Sequence, residues 1–247
     1  MVPCCENQNL YVYLSRFKKT IITIKIERKQ IMANVVLIGA TGFVGSAILN
    51  ELVERAHKVT AVVRNTSRLP KNNNITAIEE DVANVDAIAK LSEGKDAIIS
   101  SYNPGWMNPQ ITELLYSNYP KILEATKKSG VKRLLIVGGA GTLFVKPGVR
   151  LIDTGVIPDE IMGGVRPLAD FYLKTLVNEN DIDWVFFSPA GTFDKEGKKT
   201  GKFRLGSDDL VVDAQGNSHI SVQDYAIAMV DELEQVKHHK ERFTIGY

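Results

Sequence analysis

The chain has 247 residues, of which 44% are hydrophobic and 24% are charged, and its formal net charge is +1. These values are ordinary for a globular domain, and they provide neither a basic stripe for nucleic acid nor an acidic tail. The composition therefore predicts a protein that acts on a small molecule, without a nucleic-acid or membrane partner. We expect a monomer or a homodimer.

The N-terminal residues 1–31 differ from the rest of the chain. The apolar run at residues 21–26 is interrupted by Lys25 and is too short to span a membrane, and no small-residue cleavage site follows it. Met32 stands directly before the first convincing strand. We therefore expect residues 1–31 to be a disordered or non-native extension. The alternative is an added edge strand at residues 21–26, which partly alternate.

Neither the cysteines nor the histidines predict a cross-link or a metal centre. Cys4 and Cys5 are adjacent and have no partner elsewhere, which favours the cytoplasm as the compartment. His219, His238 and His239 have no carboxylate or cysteine at a convincing ligand spacing. We therefore predict a cytoplasmic protein without a bound metal.

From residue 34 onwards, short apolar runs alternate with amphipathic stretches, which is typical of βαβ units around a parallel sheet. The predicted strands of this sheet are residues 35–38, 59–63, 75–78, 97–99, 134–137 and 184–187. The pattern predicts an α/β fold of the Rossmann type, a doubly wound parallel sheet that forms a single domain over residues 32–247.

Three helices are predicted between these strands, and prolines mark two of them. The first helix covers residues 43–56. The second ends at Gly130, and Pro120 inside it is expected to kink or interrupt it. The third reaches about residue 180, and Pro167 is expected in its first turn.

The regular alternation stops after Pro189. Residues 190–220 are predicted to form a small irregular segment on the substrate side, with β-like pieces at 202–205 and 210–212. Ser221 and Asp224 resemble a capping box that opens a helix to about residue 235. A final strand is predicted at residues 243–245.

The most informative segment connects the first strand to the first helix. Gly39 would permit a tight turn, Gly42 would let a pyrophosphate approach the backbone, and Gly45 would let the helix pack closely on the strand. Helix-start amides and the helix dipole favour phosphate charge. The segment therefore predicts a dinucleotide site, whereas the alternative is a glycine-rich turn without a ligand. Its residues are Gly39, Ala40, Thr41, Gly42, Phe43, Val44 and Gly45.

The end of the second strand indicates which dinucleotide is bound. An acidic residue there would bond the ribose hydroxyls and repel a 2′-phosphate, but this chain has Arg64, followed by Arg68. A guanidinium suits a phosphate group. We therefore predict that NADP(H) is preferred and that NAD(H) is possible; the alternative for Arg64 is a solvated surface arginine.

Further cofactor contacts are predicted where other strands end, because open α/β sheets bind ligands at the carboxyl edge. Asp81 is expected to accept a hydrogen bond from adenine or to cap the next helix. The residues at these strand ends are Asp81, Val82, Ser100, Ser101, Gly138 and Gly139.

With these motifs, the chain from residue 34 to its end resembles the atypical short-chain dehydrogenase/reductases. These are the NAD(P)H-binding, NmrA-like and NADH-flavin-reductase-like proteins, some of which are named epimerases or dehydratases. The resemblance implies the cofactor contacts at the matching positions, but it does not imply a substrate. It rests on residues 39–45, 63–64, 67–70, 81–82, 137–141 and 219–224.

One departure from the resemblance concerns the chemistry. Hydroxyl-oxidising members use a Tyr-x-x-x-Lys pair after the fifth strand, whereas Tyr172 here is followed by Lys174 two positions later and by Leu176 at the lysine position. Residues two apart on a helix face different sides. Gly138 and Gly139 also stand where a serine is expected. A conventional alcohol or sugar mechanism is therefore not predicted.

These features favour an NAD(P)H-dependent oxidoreductase that transfers hydride to a flavin, a quinone or a similar conjugated acceptor, which needs no dedicated protein acid. Lys174 is a candidate to steer an anionic acceptor, and Tyr102 or Trp106 to stack on it; their alternatives are a solvated helix residue and loop packing. Two other functions stay open: a nucleotide-sugar epimerase or dehydratase, and a non-catalytic NADP(H) sensor of the NmrA-like kind.

Overall fold

The computed structural model describes residues 32–194 and 196–247, so the alternatives for residues 1–31 lie outside the described residues. The described residues contain a mostly parallel sheet of eight strands: β1 (Asn34–Ile38), β2 (Lys58–Val63), β3 (Ile75–Glu79), β4 (Ala97–Ser100), β5 (Arg133–Val137), β8 (Asp183–Ser188), β10 (Arg204–Gly206) and β12 (Glu241–Gly246). Their order across the sheet is β10-β12-β8-β5-β4-β1-β2-β3. Only β10 runs antiparallel to its neighbour. The predicted Rossmann-type fold is confirmed.

Five α-helices cover the two faces of this sheet in the described part of the chain. They are α1 (Phe43–Glu54), α2 (Val85–Ser92), α3 (Ile111–Ser129), α4 (Asp159–Asp170) and α5 (Val222–Gln235). In β1, Val35 and Leu37 pack in the core beneath α1 and α5, whereas Val36 and Ile38 pack in the core beneath α2 and α3. A strand buried on both faces needs apolar residues at every position, which explains the unbroken apolar run.

The predicted interruption at Pro120 does not occur, because α3 continues through it from Ile111 to Ser129. The proline lacks an N–H and cannot bond the carbonyl of Tyr116 four residues earlier. Pro120 is exposed and the Tyr116 side chain is 45% exposed, so water can satisfy that carbonyl. The left-handed Gly130 ends the helix as predicted.

The position predicted for Pro167 is wrong. Helix α4 begins at Asp159, so Pro167 lies in its interior. Acidic residues in the first turn, Asp159 and Glu160, suit the helix dipole and mark this start in the sequence. The carbonyl that Pro167 leaves unbonded is that of Gly163, and the hydroxyl of Thr112 donates to it at 3.0 Å. This replacement bond from α3 explains how the helix tolerates the proline.

The segment after β5 contains small sheets that the sequence did not reveal. A hairpin joins β6 (Phe144–Lys146) to β7 (Val149–Arg150), and β9 (Thr192–Asp194) pairs in parallel with β11 (His219–Ser221). The strand predicted at residues 202–205 corresponds to β10, which begins later, at Arg204, and ends at Gly206.

The strand predicted at residues 210–212 is absent from the described structure. The side chain of Val211 instead packs on the backbones of Gly206 and Gly246, where a Cβ would lie 3.0 and 2.8 Å from it. This side chain therefore packs against β10 and β12 and does not belong to a strand itself.

Asp224 connects three separated parts of the chain. The hydroxyl of Ser221 accepts from the Asp224 amide at 3.0 Å, which confirms the predicted start of α5. The Asp224 carboxylate does not close the capping box; it accepts from the amides of Thr200 and Gly201, both at 2.8 Å, and from the hydroxyl of Tyr247 at 2.6 Å. Asp224 is completely buried, so it fixes the loop before β10 and the C-terminal residue against α5.

Candidate functional site

A cavity of about 1040 Å³ opens at the carboxyl ends of the central strands. It lies beside β1 and β4, the point where the strand order reverses and where open α/β sheets bind ligands. Most of the predicted cofactor residues line it: Gly39, Thr41, Gly42, Phe43, Val44, Arg64, Arg68, Asp81, Val82, Ser101, Gly138 and Gly139. Ala40, Gly45 and Ser100 are buried behind this lining.

Gly39 makes the tight turn that ends β1. Its φ of +83° is unfavourable for a side chain, and a Cβ there would lie 2.7 Å from the carbonyl oxygen of Ser101. The Gly39 amide donates to Val62 at 3.0 Å, and its carbonyl accepts from the Gly42 amide at 3.0 Å. Hydrogen bonds from the Gly39 amide and to its carbonyl therefore both stabilise the turn.

Gly45 allows helix α1 to pack on this turn. A Cβ at Gly45 would lie 2.1 Å from the Gly39 carbonyl oxygen and 2.4 Å from the hydroxyl of Ser101. That hydroxyl donates to the carbonyls of Ile38 at 2.8 Å and Gly39 at 3.2 Å. The glycine therefore allows the helix to approach the turn closely. The Ser101 hydroxyl links the residue after β4 to the same turn.

The first turn of α1 is available to an anion. Gly42 is the N-cap residue, with extended backbone and no side-chain capping bond, and no acidic residue lies in the first turn. The amides of Phe43, Val44 and Gly45 have no acceptor within the helix. Uncapped amides at the positive end of the helix dipole fit the diphosphate of a dinucleotide.

Arg64 and Arg68 follow β2 and line the cavity, both exposed. Between them, the side chain of Asn65 accepts from the Ser67 amide at 2.9 Å and shapes the turn. The two guanidinium groups therefore stand at the strand end where the ribose of a dinucleotide is recognised, and they fit a phosphate on that ribose.

Asp81 does not cap the helix that follows. It accepts from the Ala83 amide at 2.8 Å, whereas α2 is capped by Asn84, which accepts from Ala87 at 3.3 Å. That alternative for Asp81 is wrong. Its Oδ2 has no hydrogen-bond partner among the described residues, which leaves an acceptor at the cavity for an amino group.

Tyr102 has a free hydroxyl proton at the cavity. Its oxygen accepts from the side-chain amide of the buried Asn118 at 2.6 Å, and its proton has no acceptor among the described residues. Burial raises the pKa of the Tyr102 phenol, and the Asn118 hydrogen bond only partly opposes this. The phenol is therefore neutral at physiological pH and can donate a hydrogen bond to a ligand.

The structure does not bring Lys174 to the cavity. Its ammonium is exposed and pairs with Asp170 at 3.1 Å, in a π-helical turn at Phe171–Thr175 beyond the end of α4. Tyr172 in the same turn stacks on Phe186 at 4.8 Å. Neither residue belongs to the cavity lining, so Lys174 is not placed to steer an acceptor there.

The helix that follows β5 presents an apolar face to the cavity, which the sequence did not predict. Four residues of α4 line the cavity, and their spacing places them on one face of the helix: Ile161, Gly164, Val165 and Leu168. The indole of Trp106 packs over Gly164, where a Cβ would lie 2.5 Å from it. No titratable side chain of α4 lines the cavity, although a tyrosine–lysine pair is expected on a helix in this place.

Two absences concern other kinds of site. Within residues 32–194 and 196–247, no three His, Cys, Asp or Glu side chains are grouped to hold a metal ion. No helix in the same ranges combines the length and the hydropathy that crossing a bilayer requires.

The sheet order, the glycine turn and the uncapped helix together define a Rossmann-fold protein that binds a nicotinamide dinucleotide. Comparison of the sequence with protein families gives the same result, since the NAD(P)H-binding family matches residues 39–235. The chain belongs to that NAD(P)H-binding family, whose members include reductases and dehydrogenases.

Three relatives show the extent of the similarity. The uncharacterized protein YwnB of Bacillus subtilis is 38% identical over 85% of this chain and 96% of its own length. A solved structure from Bacteroides thetaiotaomicron, provisionally named an epimerase, is 49% identical over 88% of this chain and 98% of its own, with a TM-score of 0.81. A second, provisionally named an NADH-flavin reductase, from Streptococcus pneumoniae, is 33% identical over 87% and 99%, with a TM-score of 0.75.

Proposed function

We propose that the protein is an NADPH-dependent oxidoreductase that reduces a flavin, a quinone or a similar conjugated acceptor. The apolar cavity face of α4 carries this proposal, because an alcohol or sugar substrate needs a protein group that exchanges a proton, and α4 offers none. A conjugated ring delocalises the charge that it gains, so this requirement is removed.

When bound, the reduced nicotinamide supplies a hydride, which with one proton from water converts the acceptor to its two-electron reduced form and leaves NADP⁺. The protein binds the cofactor and the acceptor and orients their rings. The glycine turn and the first turn of α1 hold the diphosphate, and the apolar face of α4 provides a surface for a flat ring beside the cofactor. Tyr102 can donate a hydrogen bond on the cofactor side, near Arg64 and Asp81.

Arg64→Ala is expected to weaken NADPH binding by about 1–2 kcal/mol, roughly tenfold in Kd, because it removes a charged hydrogen bond to the 2′-phosphate. NADH lacks that phosphate, so its Kd should change little. Calorimetric titration of both nucleotides into both proteins measures the difference. Equal losses for NADPH and NADH would remove the preference for NADPH.

An acceptor screen tests the function itself. We expect NADPH oxidation, followed by its absorbance, with at least one of riboflavin, FMN and simple naphthoquinones. Binding of NADPH without oxidation by any of them would contradict a reductase and favour a sensor. Turnover of a nucleotide sugar without net NADPH consumption would favour the epimerase that the Bacteroides relative's name suggests.

A further inference from the structure

The cavity is divided by charge. Its charged lining residues all belong to the part of the chain before residue 122: Arg64, Arg68, Glu80, Asp81 and Lys121. The described lining residues between 137 and 218 carry no charge, and neither does Trp106, which packs on Gly164 of α4; together they form the uncharged side. The charged side contains the glycine turn and the ends of β2 and β3, where the dinucleotide is expected to bind, and Arg64 and Arg68 suit its phosphates. The uncharged side therefore remains for the acceptor.

The uncharged side is lined mainly by apolar side chains, and some of them reach solvent. Trp106, Val156 and Ile161 line the cavity and are 53%, 68% and 37% exposed. Exposed apolar side chains around a cavity indicate a binding surface for an apolar group. The acceptor side therefore continues outward as an apolar rim formed by these three residues.

The polar side chains on the acceptor side are neutral hydroxyls. They belong to Thr142, Thr192 and Ser218. The hydroxyl of Thr142 is buried and has no hydrogen-bond partner among the described residues. A neutral hydroxyl suits a carbonyl or ring nitrogen, whereas a phosphate buried against such groups would lose its hydration without a compensating cation.

We infer that the acceptor is an uncharged ring compound with an apolar substituent, and not a phosphate-bearing flavin nucleotide. The inference rests on the proposed function and narrows its acceptor class. It predicts that the ring enters beside α4, that the substituent lies on the apolar rim, and that no group of the acceptor is anionic. The redox step is the hydride and proton transfer already described.

Riboflavin and FMN provide a matched pair, because they share one ring system and differ in a phosphate. With NADPH saturating, kcat/KM is expected to be at least about fivefold higher for riboflavin, on the scale of an unpaired buried polar group. A decyl-substituted benzoquinone should likewise exceed the same benzoquinone without its chain. An equal or higher kcat/KM for FMN would overturn the inference but leave the reductase proposal intact, whereas failure of every acceptor would refute the reductase proposal.

A cation placed on the rim provides the converse test. Val156→Arg should raise kcat/KM for FMN relative to riboflavin by about fivefold, since it supplies the missing charge partner. Val145→Arg is the matched control, because Val145 is 40% exposed and lies outside the cavity lining. In this variant the ratio of kcat/KM for FMN to that for riboflavin should stay at the wild-type value. An unchanged ratio in Val156→Arg, or an equal rise in Val145→Arg, would show that charge on this side does not select the acceptor.

Discussion

Gly42→Asp is expected to weaken NADPH and NADH binding by at least about 100-fold, near 3 kcal/mol, with little change in the stability of the fold. Gly42 has a φ of −76°, which any residue adopts, but a Cβ there lies 3.3 Å from the Gly39 carbonyl oxygen, so the turn must shift slightly. Aspartate is a favourable N-cap, which offsets the cost of this contact. Its carboxylate would occupy the amides of α1 and repel the diphosphate.

Gly42→Ser is the matched control for this substitution. Serine is a similar cap without charge, so it should cost much less affinity while giving the same stability. Calorimetric titration and thermal unfolding of the three proteins measure the two properties separately. Wild-type nucleotide affinity in Gly42→Asp would refute the diphosphate site at this helix, and with it the cofactor assignment.

Asp224→Asn is expected to lower the free energy of unfolding by about 2–4 kcal/mol, because a buried carboxylate that accepts several hydrogen bonds becomes an amide with one oxygen. The donors at Thr200, Gly201 and Tyr247 cannot all be satisfied by that oxygen. Denaturant unfolding measures the loss. Asp86→Asn is the control: Asp86 is an exposed acid paired with Lys128, and its loss should change stability little. Equal stability in Asp224→Asn and Asp86→Asn would contradict this role of Asp224.

The stability difference between the wild type and Asp224→Asn should also depend on pH. Burial alone would raise the pKa of Asp224, but hydrogen bonds from Thr200, Tyr247 and Gly201 outweigh it and hold the pKa below its usual 3.8. A carboxyl with a lowered folded pKa stabilises the fold fully above the unfolded value and loses that contribution as the pH falls through the folded value. The difference should therefore be constant near neutral pH and shrink below about pH 4.

The sheet and the cofactor side were predictable because their signals are local. The strands β1, β4, β5 and β8 each contain an unbroken apolar run, and Gly39, Gly42 and Gly45 lie within one segment of seven residues. The role of Gly45 was only partly predictable, since the groups that it approaches include the hydroxyl of Ser101, which is far away in sequence.

The acceptor side was not predictable because its determinants act over long sequence distances. Pro167 is tolerated inside α4 through a hydrogen bond from Thr112, 51 residues before its acceptor Gly163. The side chain of Val211 packs against Gly246, far later in the chain, where a Cβ would lie 2.8 Å from it. The missing tyrosine–lysine pair was visible in the sequence, but only the structure shows which residues of α4 face the cavity.

Most residues on the charged side of the cavity come early in the chain, and most on the uncharged side come late. This arrangement matters for recombination between related proteins. One crossover in the loop between α3 and β5 would combine the dinucleotide half of one parent with the acceptor half of another. The junction would still have to match where the halves meet: between β4 and β5, at the Thr112–Gly163 contact, and where Trp106 of the rim packs on Gly164. New acceptors could then be gained by recombination while the cofactor is retained.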